Sequence, residues 1–154
     1  MRPRPKPAMV RLTIAGASQV PIHNPGFFMM RFFLASGALF ALVGVVSRAL
    51  SAHTLIDRLT ASGKLDQFNL ASDYILIHGL ALIAVALLLQ AAPCRPATLA
   101  GCCFFVGGLL FPVTVFMKCF APMGTSGILT PIGGGILMLG WLLLACAALV
   151  ARFA

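Results

Sequence analysis

Four long stretches of the chain carry almost no charge, and the charged residues stand at their edges. Phe32 to Ser47 lies uncharged between Arg31 and Arg48, Tyr74 to Cys94 between Asp73 and Arg95, and Pro96 to Met117 between Arg95 and Lys118. From Cys119 to Ala151 there is no charge at all. A helix needs about 20 mostly apolar residues to cross a bilayer core, where every backbone N–H and C=O must be paired within the chain. The last stretch is too long for one crossing, and its part "APMGTSG", Ala121 to Gly127, has the chemistry of a turn. The pattern predicts an all-α integral membrane domain over residues 30–152, with spans at about 30–47, 74–93, 97–117 and 128–150. Pro93-Cys94-Arg95-Pro96 is then the tight turn of a hairpin between spans two and three.

Between spans one and two, Leu55, Leu59, Leu65 and Phe68 alternate with charged positions, and Gly63 interrupts the middle. This predicts a short amphipathic helix, Ser51 to Ala61, on the membrane surface, with a turn at Ser62-Gly63. Residues 1–29 lack a sustained apolar period and are rich in proline, so they read as a disordered basic tail. Three origins fit it: an extension of the gene model ahead of a native start at Met30, an arm that touches anionic lipid, or, ranked last, part of a signal peptide cleaved at "ALSA", Ala49 to Ala52.

Composition agrees with the pattern. The chain has 154 residues, 60% hydrophobic and 9% charged, with mean hydropathy +1.03. The formal net charge of +8 is not gathered on one face. Arg2, Arg4, Lys6 and Arg11 stand in the tail and most other cations punctuate apolar runs, which argues against nucleic acid as a partner. With four spans both termini share a side. Arg2, Arg4, Lys6, Arg11, Arg31, Arg95 and Arg152 lie on it, against Arg48, Arg58, Lys64 and Lys118 on the other, so the positive-inside rule makes the termini cytoplasmic. Without the tail the two sides are nearly balanced. Cys94, Cys102, Cys103, Cys119 and Cys146 have no C-x-x-C spacing and read as small packing residues, with no metal site or cofactor implied.

The stretch "GILTPIGGGILMLGW", Gly127 to Trp141, opens span four. Pro131 suits the first turn of a helix, with Thr130 before it as the cap. Gly133, Gly134 and Gly135 then remove side chains so that another backbone can approach, and Gly140 belongs to the same set. Gly37 and Ala41 in span one, with Gly107 and Gly108 in span three, are expected on the other side of that contact. Trp141 is expected to pack between helices.

Topology puts His53, Asp73, Tyr74, His78, Thr130 and Pro131 at the non-cytoplasmic end, with Lys118. Tyr74 and His78 are four residues apart and share a helix face. Asp73 and His78 diverge by about 140°, which disfavours a catalytic pair within one helix. The structural reading of His78 is an imidazole bonded to Tyr74, to a carbonyl or to Thr130, fixing helix register. Asp73 reads as a helix N-terminal charge. The functional reading makes the cluster a binding site for a lipid or quinone headgroup, a proton or an ion. Haem between His53 and His78 is disfavoured because His53 falls outside the core. No nucleophile–base pair, metal-ligand set or phosphate loop points to an enzyme.

Taken together, "SAH" at Ser51 to His53, "DYILIH" at Asp73 to His78, "GGLLF" at Gly107 to Phe111 and "TPIGGGILMLGW" at Thr130 to Trp141 resemble a family of small four-span membrane proteins of unknown function. These are the bacterial YgdD type (domain of unknown function 423), related to eukaryotic transmembrane protein 256. The likeness covers Met30 to about Val150. Ser51 stands where the family typically has Gly, Ile75 where it has Gln, and Pro112-Val113 where it has Ser-Gly. The resemblance implies four helices, a bacterial plasma (inner) membrane or mitochondrial inner-membrane setting, and no established activity. The functional class expected is an accessory or scaffold subunit that packs against another membrane protein or against itself. The alternative is a binder acting through the polar cluster.

Overall fold

A computed structural model describes residues 25–121 and 127–151. The first 24 residues of the expected tail, the turn residues 122–126 and Arg152 lie outside these. Five helices follow in order: α1 Pro25–Ala52, α2 Ile56–Ala61, α3 Leu65–Ala91, α4 Arg95–Phe120 and α5 Leu129–Val150. All but α2 are long and apolar enough to cross a membrane.

The spanning helices outrun the uncharged stretches. Pro25–Met29, expected in the tail, are helical, and α3 starts at Leu65, nine residues before the expected Tyr74. A helix satisfies its backbone internally in lipid or in water, so a charged residue marks where side chains meet polar surroundings, not where the helix stops. Asp73 is therefore not an N-terminal charge but lies more than two turns inside α3. The expected surface helix divides in two. Ser51 and Ala52 belong to α1, and α2 keeps Ile56–Ala61 with Leu59 buried beneath it. Its end matches the sequence expectation. Gly63 takes φ +63°, its N–H donates to Thr60 O at 3.0 Å, and Lys64 N–H reaches back to Leu59 O at 2.9 Å. This left-handed glycine turn satisfies the last carbonyls of the helix.

Packing follows a row: α1 against α3, α3 against α4 and α4 against α5, with a minor contact between α1 and α4. Phe33, Phe40, Leu82, Val85, Phe104 and Leu137 form the core. Outward faces are apolar too, with Leu39, Leu80, Leu87, Leu99, Leu142 and Leu149 exposed. Exposed leucines around buried small residues are the reverse of a soluble bundle and suit a lipid surround, in which close backbone packing replaces the hydrophobic drive.

The glycines show how close this packing is. A Cβ on Gly79 would come within 2.7 Å of Ala41 N and Gly37 O, and one on Gly44 within 2.7 Å of the Leu76 Cβ, so α1 and α3 meet almost backbone to backbone. Gly37 and Ala41 thus pair with Gly79 of α3, not with the glycines of α5. In the second seam a Cβ on Gly133 would lie 2.8 Å from Phe111 N, one on Gly107 would meet Leu137, and one on Gly140 would meet Phe104 at 2.7 Å. Gly108 faces Phe40 of α1. Of the glycine triplet only Gly133 enters the seam. Gly134 has just Phe111 near it, at 3.8 Å, and Gly135 has nothing within 4 Å. Successive helical residues point about 100° apart, so three in a row cannot face one neighbour.

Candidate functional site

The expected polar cluster separates into three groups and one outlier. His53 is exposed in the α1–α2 connection. It shares no hydrogen bond or ring contact with His78 among the described residues.

The first group centres on His78, thirteen residues from either end of α3 and so about 20 Å from each. The helix start at Leu65, not Tyr74, moves this histidine away from the interface and into the middle of the bundle. Only 4% of its surface is exposed. Its Nδ1 lies 2.7 Å from Tyr74 O, and the Trp141 Nε1–H donates to its Nε2 at 3.2 Å. An indole N–H can only donate and a carbonyl can only accept, which determines the tautomer. The imidazole is neutral, with its proton on Nδ1 given to Tyr74 O and its Nε2 lone pair taken by Trp141. Aromatic rings surround it: Tyr74 at 5.7 Å between centroids, Phe104 at 5.7 Å and Trp141 at 6.0 Å, with Phe111 at 4.5 Å from Tyr74. The Trp141–His78 bond ties α5 to α3 across α4. A cavity of about 370 Å³ opens beside it, bordered by Tyr74, His78, Phe111, Gly134, Met138 and Trp141.

The second group joins α4 to α5. Lys118 Nζ donates to Thr130 Oγ1 at 2.8 Å, and the Thr130 hydroxyl donates to Thr114 Oγ1 at 3.1 Å. Thr114 passes its own proton to the carbonyls of Leu110 and Phe111, both at 2.9 Å. Thr130 is thus not the expected cap. Ile128 takes that position without a side-chain bond, and the threonine is occupied across the seam. Pro131 does fall in the first turn of α5 and is exposed.

Asp73 finds a cation across the other seam, Arg48 Nε at 3.1 Å. Both side chains are almost half exposed, so the pair adds little in water and more wherever lipid limits hydration. One turn further out Ser51 Oγ donates to Asn69 Oδ1 at 2.6 Å. Ser51 therefore supplies a bond between helices. Every buried side-chain N or O among the described residues has a partner.

Sequence reasoning found Tyr74, His78 and Thr130 but not their partners Trp141, Thr114 and Lys118 as such, nor Arg48 and Asn69. Opposite charges at facing ends of consecutive spans, Arg48 and Asp73, were a usable signal. Nothing local connects His78 with a tryptophan 63 positions away.

The model of the protein family of unknown function DUF423 matches residues 47–134. The chain belongs to this family. A UPF0382 membrane protein of Staphylococcus epidermidis is 31% identical over 120 residues, which are 78% of this chain and 97% of that relative. The UPF0382 membrane protein C1782.12c of Schizosaccharomyces pombe is 34% identical over 112 residues, 66% of this chain and 90% of its own. YwdK of Bacillus subtilis is 28% identical over 120 residues, covering 77% and 97%. No solved structure matches. The chain is a membrane protein like these relatives, and its family is described as one of unknown function. Its matched segment includes Arg48, Asp73, His78, Lys118 and Thr130 but stops before Trp141.

Proposed function

We propose that the protein is a non-catalytic accessory or scaffold subunit that packs against other membrane helices through α5. The observation carrying this reading is the uneven use of that helix. Gly133, Leu137, Gly140 and Ala147 are its buried residues, a single stripe turned to α4, while Gly134 and Gly135 beside it have room for a neighbouring backbone. The polar cluster, by contrast, is occupied by its own partners, which is how a register lock behaves. Its membrane is the bacterial plasma membrane, with both termini cytoplasmic. The charge balance of the two ends supports this orientation.

A second reading is favoured by the cavity beside His78. Its walls are aromatic and both ring nitrogens are engaged, so an occupant would stack there as a quinone or similar flat headgroup does, rather than ligate. Purification from native membrane in mild detergent, with mass spectrometry of everything retained, separates the two. The scaffold reading expects a stoichiometric membrane protein that Gly135→Leu releases and His78→Asn does not. Retention of a small molecule that His78→Asn abolishes in a folded protein would replace it with the second reading.

A further inference from the structure

At the opposite end of the bundle a larger cavity, about 690 Å³, lies where the start of α1 meets the α3–α4 turn. Phe27, Met30 and Leu89 line it with apolar side chains, and Gln90, Arg95 and Thr98 with polar ones. The lining is thus amphiphilic and includes one cation.

Charge singles this end out. Asp57, Asp66 and Asp73, the only acids in the chain, belong to α2 and the first third of α3 at the far end. Arg31 and Arg95 are the charged residues near the cavity among those described, and neither has a carboxylate partner. Arg31 lies 5.5 Å over the ring of Phe27, so the second cation stands beside a lining residue. The N-terminal end of the α4 dipole, at Arg95, adds to the positive potential there. An anion with an apolar body suits this lining, since its charge meets unpaired arginine and its body the apolar side chains.

We propose that this cavity binds an anionic glycerophospholipid, its phosphate on Arg95 and its upper acyl chains against Phe27, Met30 and Leu89. Gln90 and Thr98 are placed for the glycerol and ester oxygens. The site is separate from the His78 cavity and from the α5 face, and stands or falls without them.

The test uses the full chain, delipidated in detergent and incubated with dioleoyl phosphatidylglycerol, dioleoyl phosphatidylcholine or inorganic phosphate, with retained adducts counted by native mass spectrometry. Phosphatidylglycerol should be retained in preference to phosphatidylcholine, and inorganic phosphate alone should not be held. Arg95→Gln should weaken phosphatidylglycerol retention roughly fivefold, about one cation's worth of headgroup attraction, with Arg95→Lys keeping most of it. Arg31→Gln should change it about twofold or less, since that side chain lies over Phe27 and does not line the cavity. Met30→Trp, which fills the cavity and leaves Arg95 in place, should expel the lipid. Circular dichroism checks that each variant is folded, and if Arg95→Gln is not, Arg95→Lys and Met30→Trp decide. Equal retention of both lipids, equal losses for Arg31→Gln and Arg95→Gln, or retention unchanged by Met30→Trp would each overturn the site. Tight binding of inorganic phosphate alone would overturn the lipid as its occupant.

Discussion

The two main helix seams solve the same packing problem with different materials. Between α1 and α3, Gly37, Ala41 and Gly79 put main chain against main chain, and the polar contacts, Arg48–Asp73 and Ser51–Asn69, stand at one end. Between α4 and α5, Gly133 meets the backbone of Phe111, but Gly107 and Gly140 receive the side chains of Leu137 and Phe104, and the Lys118–Thr130–Thr114 chain runs across. The first seam has little that can yield. The second is bounded by side chains that can turn and by hydrogen bonds that can be exchanged. Tolerance to substitution should therefore differ between them even where the cavity a glycine leaves is equally small.

The largest effect belongs to the first seam. Gly79→Leu should prevent assembly of the bundle, and Gly79→Ala alone should cost about 2–3 kcal/mol, the upper range for overpacking, because the obstacles are backbone atoms. Denaturant titration in detergent followed by circular dichroism measures this, and a Gly79→Ala protein as stable as wild type would show that α1 and α3 are not in backbone contact. Gly140→Ala should cost less, about 1 kcal/mol, and Phe104→Leu in the same chain should recover part of the loss, a coupling visible in a double-mutant cycle. Strict additivity would remove the distinction between yielding and unyielding seams.

Trp141→Phe keeps the ring packing but takes the donor from His78 Nε2, for an expected loss of about 0.5–1.5 kcal/mol, typical of a hydrogen bond between membrane helices. Nitrogen NMR of the imidazole sharpens this: the wild type should show the Nδ1–H tautomer, and the variant a mixture. The smallest effect is expected at Gly135→Ala, where nothing lies within 4 Å, and where stability should stay within about 0.5 kcal/mol of wild type or rise slightly through helix propensity. A loss as large as that of Gly140→Ala would mean that Gly135 already has a neighbour.

The spans were legible because Arg31, Arg48, Arg95 and Lys118 frame uncharged runs, and the Gly63 turn was legible because only a left-handed residue ends α2 there. Asp73 misled because a charge was read as a helix end, which pulled His78 toward the surface with it. The glycine partners were hidden for another reason. Gly37 and Gly133 look alike in sequence, and which helix each one meets depends on the order of the row, a property of the whole bundle that no single span carries. The opening triplet shows the same limit, since composition marks Gly133 to Gly135 as a packing feature but only the helical phase separates the one that packs.

Trp141 is the single tryptophan of the chain, and it stands on the helix with one main neighbour, against the side chain of His78. Its fluorescence is thus a built-in gauge of whether the fourth span is seated. Excited at the red edge of indole absorption, the protein reports that one position without any label. Detachment of α5, whether by a partner helix or by detergent, becomes a change in emission that can be followed in an intact membrane.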